Sequence, residues 1–499
     1  MIMHRLAVRL AASFLCLTLL LGAALPALAQ AREGRRPNVI FIMADDLGYG
    51  ELGCYGQEKI QTPNIDALAQ QGLRFTDAYS GAPVCAPARC VLMTGRHPAN
   101  AQVRGNKEMG GWAPDEPEGQ WPISADTVTV AELMRDAGYA NGAMGKWGLG
   151  GPGSEGHPCF QGFDSFYGYL CQRVAHNYYP THLWNNHNVD VLDGNRWFRA
   201  HDRIEAAEEG FTQFYGEVYA PDRILEQATG FIREHKDEPF FLYLPFVEPH
   251  VAMQPPHDWV NHYPEEWDEQ PYLGGRGYVP HPRPRAGYAA MISDLDEHVG
   301  TIVALIEELG LGEDTLIVFT SDNGPTHDVG GVDTTFFESA GPLRGLKGSV
   351  YEGGIRIPMI ARWTGTIEPG TTTDHQTCFQ DLMATMADLT GRQAPADCDG
   401  ISYLPTLMGQ GEQVVHEYLV WEFHGYNGQK AVRIGDWKAV MTRIHRGNNE
   451  IELYNLAEDL GEENNVAGQH PDLVAQAREI FETDRTPNAN FPMPAFDGE

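Results

Sequence analysis

Several short stretches of this 499-residue chain carry residues able to do chemistry. Asp45 and Asp46 follow the apolar run Pro37–Ala44, and His250 follows the apolar run Pro239–Phe246 through Glu248-Pro249. Asp322 and Asn323 follow the apolar run Thr315–Thr320. Asp45, Asp46 and Asp322 offer carboxylates and Asn323 an amide oxygen. Such an all-oxygen set suits a hard cation, Ca²⁺ or Mg²⁺, rather than zinc. Taken singly, each acidic pair reads equally well as a turn or a helix cap. Cys85-Ala86-Pro87-Ala88-Arg89, continuing to Met93-Thr94-Gly95-Arg96, is a cysteine entering a helix with Pro87 in the first turn. The positive end of that helix would favour a thiolate; on its own, Cys85 also reads as a buried or disulfide-bonded cysteine.

The elements that must position these residues follow an α/β grammar, buried strands alternating with amphipathic helices. The run 37–44 is a central strand buried on both faces. Thr62 caps a helix with Pro63 in its first position, closed by Gly72. A helix over 129–136 is closed by Gly138 and leads into a strand ending at Met144-Gly145-Lys146. Helices over 222–235 and 288–309 and strands over 239–246 and 315–320 continue the alternation. Ligands of open α/β sheets sit beyond the carboxyl ends of the strands, so Asp45, Asp46, His250, Asp322 and Asn323 are expected to converge on one pocket. From about Gly411 the texture changes to short strands, Tyr418–Phe423, Lys430–Arg433 and Trp437–Met441, and a last helix over 471–481. This predicts a small antiparallel sheet with one helix packed on the larger domain. The expected divisions are a signal peptide over 1–29, a catalytic domain over 37–410 and a C-terminal subdomain over 411–499.

The first thirty residues begin with His4, Arg5 and Arg9, run apolar from about Leu10 to Leu25, and end in Ala27-Leu28-Ala29. That is the pattern of a cleaved secretory signal, and it predicts a secreted or periplasmic protein cleaved near Ala29. No later stretch is apolar and long enough to span a membrane. Of the cysteines beyond the signal, Cys159 with Cys171 and Cys378 with Cys398 are close enough in sequence to suggest pairing in an oxidising compartment. The formal charge of −33 excludes nucleic acid as a partner and requires any anion site to be a local positive island. The stretch from Tyr167 to Trp197 is rich in Tyr, His, Asn and Trp, including His176 and Trp184. It suits either the faces and hydroxyls of a sugar or a packed aromatic loop.

Cys85-x-Pro87-x-Arg89 followed by Thr94-Gly95 resembles the signature of type I sulfatases, in which an enzyme oxidises the cysteine to formylglycine. Ala88 stands where that signature usually has Ser. The resemblance continues in order through Asn38–Gly48, Gly145-Lys146-Trp147, Pro249-His250, Ser321–Gly324, Gly345–Gly348, Glu352–Pro358, Ile434–Lys438 and Glu452–Leu456. It spans nearly the whole chain after the signal and is nearest to the arylsulfatase A and N-acetylgalactosamine-6-sulfatase group. The resemblance implies an alkaline-phosphatase-like α/β fold, with a large mixed sheet flanked by helices and a smaller C-terminal antiparallel-sheet subdomain. It implies Ca²⁺ on Asp45, Asp46, Asp322 and Asn323, completed by oxygens of formylglycine 85 and substrate. It further implies that Arg89 and Lys146 hold and activate the formylglycine hydrate, and that Lys347 and His250 bind sulfate near the leaving oxygen. One hydroxyl of the hydrate attacks sulfur, His250 with Lys347 protonates the departing alcohol, and the second hydroxyl expels sulfate. The implied partners are a sulfated small molecule or glycan, of galactose type by resemblance, and a formylglycine-generating enzyme. One departure stands out: the family often reads Gly-Lys-Trp-His-Leu-Gly, and this chain has Gly148 at the histidine, leaving His157 and His176 as candidates for its work. The rival readings are a phosphoester or phosphonate hydrolase, which would need a Ser or Thr nucleophile, and a noncatalytic sulfated-glycan binder in which Cys85 stays a thiol.

Overall fold

The computed structural model describes residues 36–113, 115–207 and 210–497; the expected signal peptide lies outside them. The main sheet has ten strands. In chain order they are β1 (Asn38–Ala44), β2 (Leu73–Phe75), β3 (Ala140–Lys146), β4 (Ser165–Tyr169), β5 (His182–Asn185), β6 (Asn188–Val191), β7 (Phe240–Pro245), β8 (Thr315–Ser321), β9 (Met359–Arg362) and β10 (Thr371–Thr373). Their spatial order is β10-β2-β9-β8-β1-β7-β3-β4-β5-β6. The centre, β8-β1-β7-β3-β4, is parallel, whereas β9 runs antiparallel to β8 and β2, and β5 and β6 form an antiparallel hairpin at the far edge.

Every residue of β1 is buried, as a near-continuous apolar run in a parallel sheet should be. Its alternate side chains feed two cores. Ile40 and Ile42 pack with the helices α4 (Ala220–Glu234) and α5 (Pro284–Glu308), together with α1 (Pro63–Gln70). Val39, Phe41 and Met43 pack with α2 (Cys85–Thr94), α3 (Val130–Asp136) and α6 (Asp381–Thr390). The result is three layers, helix on sheet on helix. α3 begins with a capping box, Thr129 and Glu132 each bonding the other's backbone N–H. Thr62 does not cap α1 as its sequence position suggests; its hydroxyl accepts from Gly53 N and donates to Asp66 Oδ1.

The second sheet is antiparallel, in the order β11 (Leu419–Phe423), β12 (Gln429–Ile434), β13 (Trp437–Thr442), β14 (Glu452–Asn455). Sequence patterning gave three of these strands; the fourth, β14, is too short to show a period. One face, with Trp421, Ala431 and Val440, packs on Tyr79, Val84 and Val350 from the preceding part of the chain. The other face, with Val420, Val432, Ala439 and Leu453, is covered by α7 (Pro471–Thr483) through Ala477, Ile480 and Phe481. The two sheets belong to one compact unit, Asn38–Glu499. Among the described residues no helix is long and apolar enough to cross a membrane.

Candidate active site

The register of the central strands brings the reactive residues level. Met43 pairs with Pro245 on one side and with Thr320 on the other, so β1, β7 and β8 end together and release Asp45, His250 and Asp322 at one edge. Gly145 on β3 approaches the carbonyl of Pro245 so closely that a Cβ there would sit 2.0 Å from it, which seats the following Lys146 beside β7. Cys85 is the first residue of α2, and Lys347 sits on the loop between β8 and β9.

These side chains meet although some pairs lie 277 positions apart in sequence. Cys85 Sγ is 3.4 Å from Asp45 Oδ1 and 3.4 Å from Lys347 Nζ. Lys146 Nζ reaches Asp45 Oδ2 at 2.5 Å, and Lys347 Nζ reaches Asp46 Oδ1 at 2.7 Å. Arg89 pairs with Asp322 at 2.8 Å and with Asp45 at 3.4 Å, and donates to the Lys146 carbonyl. His250 Nε2 faces Asp46 Oδ2 at 3.6 Å, while Nδ1 is bonded to the Val251 carbonyl. Asp46 takes a φ of +67°, a left-handed conformation tolerated by Asp, and its N–H donates to Asp322 Oδ1 at 3.1 Å. Three carboxylates thus face three largely buried cations, each charge held by at least one opposite charge.

The fields reshape the protonation of each group. Burial alone would push Asp45 and Asp46 up. The charges around them outweigh it and hold both carboxyls below the usual range, chiefly Lys146 at Asp45 and Lys347 at Asp46. Burial raises Asp322 to about 6, with Asp45 adding to the rise and Arg89 opposing it. Burial pushes the Cys85 thiol far up and Asp45 pushes it further. This reverses the expectation from the helix terminus: burial, with Asp45 adding to it, outweighs the dipole and the two lysines, so an unmodified Cys85 stays a protonated thiol. Burial, with the Lys347 charge, brings His250 down to about 4.

Asp45, Asp46 and Asn323 offer oxygen donors of the kind a hard cation takes, while Asp322 is engaged by Arg89 and the Asp46 N–H. Asp45, Asp46, Cys85 and His250 place ligand atoms within 4.8 Å of one another, all four residues buried. Asn323 Oδ1 is buried without a hydrogen-bond partner, although its Nδ2 donates to Asp46 Oδ1 at 2.8 Å. An amide oxygen with no protein partner, beside three carboxylates, is what a cation ligand looks like before the ion is added.

The region around Gly148 separates the two histidine candidates. His157 stacks on His187 at 4.3 Å, and both its ring nitrogens bond elsewhere, to Asn186 O and Cys159 N, so it is not part of the Cys85 group. His176 lies flat on His250, with centroids 4.9 Å apart and planes 14° from parallel. Gly148 itself has φ +78°, and a Cβ there would sit 3.1 Å from the Gln172 side chain. Gln172 is 1% exposed and neither its amide nitrogen nor its amide oxygen has a partner. Sequence reading missed Gln172 and also Tyr278, whose ring stands edge-on to His250 at 5.9 Å. Tyr278 lies in an irregular glycine-rich loop and carries no periodic signal. Tyr426, in the turn between β11 and β12, reaches back to the mouth of the site: its hydroxyl is 3.1 Å from His327 Nε2, and its ring packs against Gly348 beside Lys347.

The aromatic stretch 167–197 divides by role. Tyr167, Tyr169 and Tyr178 are packed inside, Tyr178 donating to the carbonyls of Val247 and His250 at 2.7 and 2.6 Å. His176 packs among the rings of His201, His250 and Tyr278, and His182 lines a cavity, bonded to Glu118. The suggested disulfides do not form. All seven cysteines from Cys54 to Cys398 are free, with Cys159 against Asn186 and Cys171 against the Gly119 carbonyl.

Comparison with known proteins places this geometry in context. The family model described as Sulfatase matches residues 37–392, and that described as N-sulphoglucosamine sulphohydrolase, C-terminal, matches residues 346–483. The N-acetylgalactosamine-6-O-sulfatase of Bacteroides thetaiotaomicron is 32% identical over 92% of this chain and 94% of its own length. Human arylsulfatase A is 31% identical over 89% of this chain and 87% of its own. The crystal structure of Ps i-CgsB in complex with k-i-k-neocarrahexaose superposes with a TM-score of 0.72 and 27% identity, covering 91% of this chain and 94% of that one.

Proposed function

The chain belongs to the sulfatase family and is a sulfuric-ester hydrolase with an alkaline-phosphatase-like fold, and from that premise we propose that it removes sulfate from a sulfated carbohydrate with Cys85, converted to formylglycine, as its nucleophile. The observation that carries this reading is the seating of Cys85 Sγ 3.4 Å from both Asp45 Oδ1 and Lys347 Nζ, on a helix where the thiol itself is inert. The carbohydrate part rests on relatives named for an amino-sugar sulfatase activity and on a similar structure solved with a hexaose.

Asp45, Asp46, Asp322 and Asn323 would hold a hard cation, Ca²⁺ in our reading. The hydrate of formylglycine would supply one hydroxyl to attack sulfur and a second to expel sulfate, and the cation would supply Lewis acidity. The remaining work falls to the chain's own side chains. Arg89 and Lys146, both tied to Asp45, orient the oxygens at position 85. Lys347 and His250, both against Asp46, bind sulfate oxygens and offset the charge that develops on the bridging oxygen. The Val251 carbonyl holds the proton on His250 Nδ1 and so leaves Nε2 turned into the site; beside a bound anion Nε2 takes up a proton from solvent and passes it to the departing alcohol. His176, stacked on His250, is the remaining histidine for the step served elsewhere by a residue at position 148. Export follows from the residues before Ala29.

Two measurements test this together. The peptide containing residue 85, from active enzyme, should weigh about 18 Da less than its cysteine form, the difference between the two residue formulas. A panel of defined sulfated saccharides should release inorganic sulfate. An active enzyme with an unmodified cysteine sinks the nucleophile, and release from aryl sulfates but from no saccharide sinks the substrate class.

A further inference from the structure

A cavity of about 180 Å³ lies between the loop carrying Trp112 and Glu118 and the segment from Arg173 to His201. It is joined to the Cys85 group by a row of rings. His201, on its wall, has Nε2 3.4 Å from His176 Nδ1, and His176 lies on His250. Two indoles line it while remaining open to solvent, Trp112 at 47% and Trp197 at 41% exposed. Large aromatic faces left open beside a polar cavity mark a place where apolar ring faces are covered on binding.

The charges in the cavity are unequally satisfied. Glu118 is engaged by His182 Nε2 at 2.6 Å and by Trp184 Nε1 at 3.2 Å. Glu116 accepts the Trp112 N–H at 3.0 Å. Arg173, half-buried on the wall, forms no salt bridge with any described residue. Glu108 lies near enough to feel its charge, and Glu116 and Glu118 line the same cavity, but none holds Arg173 in a salt bridge, so its guanidinium donors are open to an incoming anion.

We propose that this cavity is a second sugar subsite, a reading that rests on the chain being a carbohydrate sulfatase. It takes the ring next to the one being desulfated, with Trp112 and Trp197 against its faces and Arg173 paired with a sulfate or carboxylate on it. The enzyme is thereby selective for oligosaccharides carrying at least two anionic groups.

The test compares kcat/KM on an aryl sulfate, a sulfated monosaccharide and three disaccharides, whose neighbouring ring is neutral, sulfated or carboxylated. It uses the full enzyme and the variants W112A, W197A, W197F, R173A and R173K. The wild type should favour an anionic disaccharide over the monosaccharide by about tenfold or more. W112A and W197A should lower the ratio of disaccharide to aryl sulfate for every disaccharide, with W197F recovering part of it. R173A should remove only the advantage of the charged neighbour, R173K should keep part of it, and the sulfate and carboxylate arms report which anion is read. Because the readout is a ratio within one preparation, a loss common to all substrates does not count for the proposal. An unchanged ratio in the Trp and Arg variants overturns it, as does a wild type indifferent to the neighbouring ring. Failure to cleave any saccharide, with aryl sulfate still cleaved, instead overturns the carbohydrate reading on which it rests.

Discussion

At the residue scale, the site works by crowding opposite charges around position 85, so removing one charge exposes the rest. Lys347→Ala leaves Asp46 with one fewer counter-charge and the sulfate with one fewer ligand, and kcat/KM should fall by about 10²-fold or more. Steady-state rates on an aryl sulfate measure this; a fall of less than tenfold would remove Lys347 from the chemistry. Gly148 gives a sharper case. Restoring the family's histidine there should not restore a faster enzyme, because the backbone has φ +78° and the new Cβ meets Gln172 at 3.1 Å. Gly148→His should lower both melting temperature and turnover, and Gln172→Ala in the same chain should recover part of the loss. Asp45, Asp46, Asp322 and Cys85 were legible in the sequence because each ends an apolar run or opens a helix. Gln172 and Tyr278 were not, since a lone amide or phenol in an irregular loop acquires its surroundings only from distant segments.

At the element scale, the C-terminal sheet is locked to the catalytic core by buried ion pairs as well as by apolar contact. Lys438 pairs with Glu352 at 2.7 Å and Arg433 with Asp77 at 2.8 Å, while Glu422 on β11 takes Arg104, Lys430 and Arg485 at 2.7–2.8 Å. Burial by itself would raise Glu422, but Arg485, Lys430 and Arg104 outweigh it and hold its carboxyl at about 2. Glu352 is likewise held at about 2 against burial, by Lys438 and two arginines. Carboxyls depressed on folding bind fewer protons folded than unfolded. Their stabilisation is therefore complete above the ordinary value of 4.5 and is lost as pH falls toward 2. Thermal unfolding should show the midpoint dropping steeply through that window. Glu422→Gln should cost about 3–5 kcal/mol at pH 7 and flatten the acid limb; an acid limb as steep as the wild type's would show that other groups govern it. β1, β7 and β8 were readable from sequence because burial on both faces writes continuous apolar runs, whereas β4 was not, its five residues lying in an aromatic-rich stretch. The four residues of β14 were not, and the edge hairpin β5–β6 lay hidden in a stretch whose aromatic content suggested a binding loop.

At the scale of the whole molecule, a formal charge of −33 surrounds a site that collects anions. Repulsion beyond the site is screened over roughly 10 Å at 0.1 M salt. kcat/KM for a multiply sulfated oligosaccharide should therefore rise with added NaCl from low ionic strength, and more than for a singly charged aryl sulfate. A steep fall over the same range would mean that the local cations, not the global charge, dominate approach. The cluster of Asp45, Asp46, Asp322 and Asn323 predicts a second whole-molecule effect. A chelator should lower the melting temperature, and Ca²⁺ should restore it in a concentration-dependent way, since an ion bound only by the folded state stabilises it by mass action. An unchanged melting curve would argue against a resident cation.

Tyr426 ties these scales together. It belongs to a hairpin turn of the small sheet, yet its ring covers Gly348 and its hydroxyl meets His327. Trimming the chain to its larger sheet would therefore strip the doorway as well as the scaffold. Exposed hairpin tips accept insertions and exchanges at little thermodynamic penalty, so altered residues at 424–428 should change what reaches the site while the groups around position 85 stay as they are.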